Sequence, residues 1–284
     1  MPSPENSDHS EAGADSPHLE LDEKKQAAEH SAPQAIVIHE VIREDGEQQL
    51  KRRSSAVAWS GLAAGLSMGF SFLCLAMLTS MLPDAAWRPA VVSVGYSVGF
   101  IIVVLGRQEL FTESTLSAVL PLLVRRDGET LFSLLRFWNI VFAANIVGAA
   151  LFAWLLTGDL FDQTAMDALG EISTHVVRDT FVVTLLKAVL AGWLIALMVW
   201  LLPSARSAKL FVVMLLTYVV ALCGLPHIIA GASEAAYAVF TNRVTWQQML
   251  WHFLVPTLMG NTIGGVALVA LLNHAPLAEE LNGA

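Results

Sequence analysis

From Ser55 to Leu272 the chain repeats one pattern: long runs of Ala, Leu, Val, Phe and Gly separated by short polar segments. About 20 apolar residues suffice for a helix to cross the hydrocarbon core of a bilayer. Six runs reach that length: Ala56 to Leu82, Ala90 to Val124, Leu131 to Leu156, Phe181 to Leu202, Leu210 to Phe240 and Met249 to Leu272. The second and fifth are too long for one simple span and turn polar in the middle, at Gly106-Arg107-Gln108-Glu109-Leu110-Phe111-Thr112-Glu113-Ser114 and at Gly224-Leu225-Pro226-His227 followed by Gly231. The pattern predicts an all-α integral membrane domain of six transmembrane helices, the second and fifth broken.

The third and sixth runs share a motif. Asn145-Ile146-Val147-Gly148 matches Asn261-Thr262-Ile263-Gly264, an interval of 116 residues. The same interval carries Phe111 onto His227 and Thr112 onto Ile228, which brings the two breaks into register. Three spans per half make the second copy run the opposite way, so the chain reads as a 3+3 inverted repeat. Paired broken helices in such a repeat point to a permeation site near the bilayer midplane.

Composition supports the membrane assignment. Of 284 residues 55% are hydrophobic and 14% charged, and the first 53 residues take twelve of the 25 acids and six of the 16 bases. Only 23 charges remain for the other 231 residues, about a tenth, whereas a water-facing surface carries roughly a quarter to a third. The expected organisation is therefore an acidic, disordered cytoplasmic tail over residues 1–53, a channel domain over 54–273 and a short cytoplasmic tail over 274–284. Within the first tail, Ile36, Val37, Ile38, Val41 and Ile42 form the apolar face of a possible helix over Ala35 to Leu50, and no cleavable signal peptide is expected before it.

Charge also sets orientation, because Lys and Arg in short loops stay cytoplasmic. Lys51, Arg52, Arg53, Arg125, Arg126, Arg136, Arg206 and Lys209 fall on one side; Arg88, Arg178 and Arg243 fall on the other, with Asp159, Asp162, Asp167 and Glu171. Both termini are predicted to be cytoplasmic. No basic stripe remains for nucleic acid. Cys74 and Cys223 lie in apolar runs, which argues against a disulfide framework or a Cys-based zinc site.

A non-helical backbone inside a membrane must face protein or a water-filled cavity, and a half-helix N-terminus there attracts anions. His227 is the ionisable residue best suited to the midpoint, since imidazole titrates near neutral pH and a proton given to a weak-acid anion would ease its crossing. Thr112 can bond the permeant or His227, or cap a half-helix beginning near Ser114. Arg107 is expected to pair with Glu109 or Glu113, because unpaired charges at depth are costly. Asn145 and Asn261 are expected to satisfy backbone at the breaks, with small neighbours allowing close helix approach. Lys187 is expected to snorkel towards its span end, and Trp87, Trp154 and Trp246 to anchor the interfaces.

Glu109-Leu110-Phe111-Thr112, Phe142-Ala143-Ala144-Asn145-Ile146-Val147-Gly148, His227 and Gly260-Asn261-Thr262-Ile263-Gly264-Gly265, in that order, resemble the formate/nitrite transporter family over about Ser55 to Leu272. The pattern is similar to its YfdC-like branch. The resemblance implies an aquaporin-like fold, a homopentamer with a pore in each protomer, a bacterial inner-membrane location, small monovalent weak-acid anions such as formate, nitrite or hydrosulfide as permeants with possible proton coupling, and no organic or metal cofactor. It also implies that His227 faces Thr112 between apolar constrictions at Tyr96, Phe100, Leu110 and Val220. Departures from better-known members are Pro226 for an acidic residue, Gly231 and Gly192 for asparagines, Val176 for a lysine, and the added Arg107 and Glu113. The alternatives are an aquaporin-like pore for a neutral solute and an intramembrane hydrolase built on Thr112 or Ser114 with His227. No serine-nucleophile motif or metal-binding His pair supports the hydrolase, so the chain is expected not to be an enzyme.

Overall fold

The computed structural model describes residues 17–18, 20–24 and 33–270, with side chains as far as residue 267. The expectations for the rest of the tail, for residues 274–284 and for the end of the sixth run fall outside the described residues. Among the described residues every regular element is helical.

Packed structure begins at residue 35, not at the residue-54 boundary expected from composition. Helix α1 (Ala35–Lys51) buries His39, Ile42, Gly46 and Leu50, whose spacing of three and four residues defines one helical face. The apolar face expected from the sequence is corrected accordingly: Ile42 is buried, but Val37 and Val41 are exposed. Gly46 allows α1 to press against the chain at Ser117, since a methyl group there would fall on the Ser117 carbonyl. Ion pairs line the helix, from Arg43 to Glu40 at 2.7 Å and from Arg125 to Glu47 at 2.9 Å. The Arg43 hydrogen bond holds the Glu40 carboxyl below its ordinary range.

The apolar runs then form helices close to their expected limits, α2 (Ser54–Met81), α3 (Arg88–Gly95) with α4 (Ser97–Leu105), α5 (Phe111–Ser117) with α6 (Leu120–Arg125), α7 (Gly128–Leu156), α9 (Phe181–Leu201), α10 (Lys209–Leu222) with α11 (Ala230–Phe240), and α13 (Val255–Ile263), while α8 (Gln163–His175) and the short α12 (Trp246–Gln248) form in the connecting segments. Among the described residues four stretches are long and apolar enough to cross a membrane by length and composition: Ser54–Met81, Arg88–Leu105, Gly128–Leu156 and Phe181–Leu201. The last run is helical but uneven, with π-helical turns at Met249–Leu254 and Gly264–Ala270 on either side of α13. Pro256 in the first turn of α13 lacks the N–H that a regular helix would use, which accounts for the widened turn before it.

Two helix pairs form the frame, α2 with α7 and α9 with α13. Both depend on missing side chains. A methyl group at Gly65 would meet the Asn145 carbonyl and one at Gly148 the Leu62 carbonyl; Gly192 stands in the same relation to Asn261, and Gly264 to Val189. Gly192 is thus a position where the α13 backbone leaves no room for a side chain. Trp87, Trp154 and Trp246 are half or more exposed, and Lys187 reaches Asp179 at 2.7 Å near the start of its helix.

Candidate functional site

Each broken run stops in the same way. After α4, Arg107 takes a left-handed conformation (φ 49°) and the Gln108 N–H donates to the Val103 carbonyl at 3.0 Å. After α10, Gly224 takes φ 58° and the Leu225 N–H donates to Val220 at 2.9 Å. A left-handed residue with a long return bond is a Schellman stop, where glycine is the usual occupant. Arg107 is therefore a backbone device, and its expected pairing is not formed: the partner of Glu109 is the Arg52 guanidinium, and Gln49 Nε2 donates to the same carboxylate at 3.3 Å. Glu113 buries one carboxyl oxygen, as Gln108 buries its amide oxygen, with no hydrogen-bond partner among the described residues.

The chain re-enters helix through two asparagines. Asn145 Oδ1 accepts the Phe111 N–H at 2.9 Å, and its Nδ2 donates to the carbonyls of Gly61 at 2.7 Å and Glu109 at 2.9 Å. Asn261 Oδ1 accepts the Ile228 N–H at 2.8 Å, and its Nδ2 donates to Ala188 at 2.8 Å and Pro226 at 3.1 Å. This corrects the register of the breaks. Phe111 corresponds to Ile228 and Leu110 to His227, an interval of 117, while the asparagines stay 116 apart. The second half has one residue fewer between break and asparagine. The expected Thr112 cap is also absent: α5 starts at Phe111, has no side-chain cap at Leu110, and its first N–H is held by Asn145.

Thr112 is free for another task. Its Oγ1 lies 2.7 Å from His227 Nε2, and both residues are about 1% exposed. On the other side of the ring, Nδ1 accepts the Ala230 N–H at 3.2 Å. A backbone N–H can only donate, so the neutral ring carries its proton on Nε2 and gives it to the Thr112 hydroxyl oxygen. Phe100 meets the imidazole edge to face at 4.9 Å, and Tyr96 follows at 5.4 Å from Phe100. Tyr96, Phe100, Leu110 and Val220 are all buried in one apolar cluster around this contact.

Cavities approach from both sides. One of about 430 Å³ opens past Asp84, Arg88 and Glu171 and runs inward along Tyr96 and Val220 to His227. Val176 and Gly231 lie in its wall, and the Phe253 ring takes the space that a side chain at 231 would need. The other, of about 390 Å³, lies under α1 and is lined by Arg52, Arg107, Glu109, Glu113 and Lys209. Ser117 Oγ donates to Gln49 Oε1 at 2.8 Å beside it. Three polar contributors are not singled out by the sequence: Gln49 and Arg52, which composition places in the tail, and Glu234. The sign of Glu234 is an acid in an otherwise uncharged part of the fifth run, seven residues or about two helical turns after His227.

Two asparagine-braced breaks that meet at a histidine–threonine contact between opposed cavities describe a transporter, and comparison agrees. Residues 36–275 match the family described as formate/nitrite transporter, and the chain belongs to that family of membrane transport proteins. It is 37% identical over 265 residues to the inner membrane protein YfdC of Escherichia coli (strain K12), covering 93% of this chain and 84% of that one. It is 27% identical over 250 residues to the formate channel BtFdhC of Bacillus thuringiensis, covering 84% and 93%. A solved pentameric formate channel with formate bound superposes with a TM-score of 0.69 at 21% identity, over 79% of this chain and 98% of that one. The fold is thus the all-helical, aquaporin-like fold of that family.

Proposed function

We propose that the chain is a channel or proton-coupled transporter for small monovalent weak-acid anions of the formate, nitrite and hydrosulfide class, with the pore centred on His227 and Thr112. The observation that carries this reading is the 2.7 Å contact between those two side chains, one from each break: the first cavity reaches His227, and the second is lined by Glu113, next to Thr112 in the chain. Phe100, Leu110 and Val220 surround the contact with apolar surface. A bare charge crosses such a zone at high cost, so the permeant crosses best as a hydrogen-bonded or neutral species. The Nε2–H of His227 and the Thr112 hydroxyl are the donors placed to receive it.

The wider assignment has the same basis. Six spans in a 3+3 inverted arrangement account for the matching stops and asparagine contacts. The charge asymmetry of the loops favours cytoplasmic termini in a bacterial inner membrane, with membrane lipid around the apolar faces. The family fold and the pentameric formate channel of similar structure favour a homopentamer with one pore per protomer.

The test is uptake by the full chain in liposomes under an imposed pH gradient, with formate, nitrite, hydrosulfide and acetate offered separately and osmotic swelling followed in parallel. Selective, pH-dependent uptake is expected. Swelling with a neutral solute, with no anion uptake at any pH, would replace this reading with the neutral-solute pore.

A further inference from the structure

Glu234 lies on α11 inside the cavity that leads to His227, and only 8% of it is exposed. Its carboxyl group has no hydrogen bond or ion pair among the described residues. Thr184, on the wall of the same cavity, also buries its hydroxyl oxygen with no hydrogen-bond partner among the described residues. An unpaired carboxylate in an apolar membrane interior is costly and marks function more often than packing.

The neighbours leave Glu234 alone in this role. Asp84 and Arg88 face each other at the cavity mouth at 3.6 Å, and Asp179 is held by Lys187 at 2.7 Å. From α8, Glu171 and His175 face the cavity, and burial followed by the charge of Arg178 holds His175 below the ordinary imidazole value. Arg243, beyond the end of α11, packs against Gly170. Tyr96 and His227 complete the ionisable lining at depth. His227 is engaged at both nitrogens, so a second proton on Nδ1 would displace the Ala230 N–H.

Resting on the weak-acid reading above, we propose that Glu234 is the proton-exchanging carboxyl of this cavity, giving its proton to the anion on its way to His227. The carboxyl O–H bond breaks, the proton bonds to the anion's basic atom (an oxygen in formate or nitrite, the sulfur in hydrosulfide), and the neutral acid passes the apolar zone. Glu234 is left as carboxylate and regains a proton from hydronium in the cavity-side solution, so one proton moves with each anion. The proton role that the sequence suggests for His227 thereby passes to Glu234, and His227 remains a fixed hydrogen-bond donor.

The experiment joins two readouts on the full chain in liposomes: infrared titration of the protonated carboxyl C=O band, and formate accumulation under a pH gradient, for wild type, Glu234→Gln and Glu234→Asp. The expected result is a band that titrates in the wild type and is lost in Glu234→Gln, with loss of gradient-driven accumulation that Glu234→Asp partly restores. Unchanged accumulation and pH profile in Glu234→Gln would overturn the proposal. Formate movement by a wild type that shows no such band would overturn the assignment to Glu234 alone. A wild type that shows the band but moves none of the weak acids would overturn the permeant reading and, with it, the transfer step.

Discussion

Asn145 and Asn261 perform the same task in the two halves of the molecule: each accepts the first N–H of a re-entering chain and donates to two carbonyls, one in the break and one in the facing helix. Both are fully buried. In a membrane interior no water replaces those bonds, so each side chain closes a break that would otherwise expose bare backbone.

Replacing either asparagine with leucine should therefore destabilise the fold more than an ordinary core substitution. Each buried backbone group left unpaired costs about 1–3 kcal/mol, and at each site the break loses the partner of one N–H and one carbonyl, while the Gly61 and Ala188 carbonyls stay within their helices. Thermal unfolding in detergent should show a large drop for Asn145→Leu and for Asn261→Leu. An unchanged midpoint in either would mean that the breaks are held by other contacts.

Arg107 and Arg52 should respond in opposite directions. The left-handed conformation of Arg107 costs a non-glycine residue roughly 1–2 kcal/mol, so Arg107→Gly is expected to raise stability slightly. Arg52→Ala leaves the buried Glu109 without its cation. Removing one partner of a buried pair costs about 3–5 kcal/mol, here reduced because Arg52 is 37% exposed. Hydrogen exchange along α1 reads the second effect: faster exchange over residues 35–51 in Arg52→Ala and unchanged exchange in Arg107→Gly. The reverse pattern would restore the Arg107–Glu109 pairing.

Gly192→Asn should fail here. The added side chain would fall on the backbone of Asn261, and overpacking a tight core costs typically 1–3 kcal/mol or more. Reduced yield of folded protein and a lower unfolding midpoint are expected. Normal stability would show that α9 and α13 can separate without loss.

Much of this architecture is written in local pattern. Apolar runs of membrane-spanning length, polar interruptions and the recurring Asn-x-x-Gly motif are short-range signals, and they locate the helices and both breaks, whereas the facing of His227 and Thr112 is what the family resemblance implies. Long-range geometry is less accessible. The register of the breaks is off by one because the two halves differ by a single residue between break and asparagine, a change no periodicity records. The partner of Glu109 is missed because Arg52 lies 57 residues away, in a segment whose acidic composition resembles a tail but whose His39, Ile42, Gly46 and Leu50 share one face. Glu234 is passed over because a single acid barely lowers the hydropathy of an apolar run, and only the cavity shows what it faces.

The contact between His227 and Thr112 is the centre of the account, and the most direct test is formate flux into liposomes by wild type and His227→Ala between about pH 5 and 8. Size-exclusion chromatography of both proteins would first establish that the variant assembles as the wild type does. The account predicts selective, pH-dependent flux in the wild type and its loss in His227→Ala. Equal flux with the same pH profile in both proteins would contradict it.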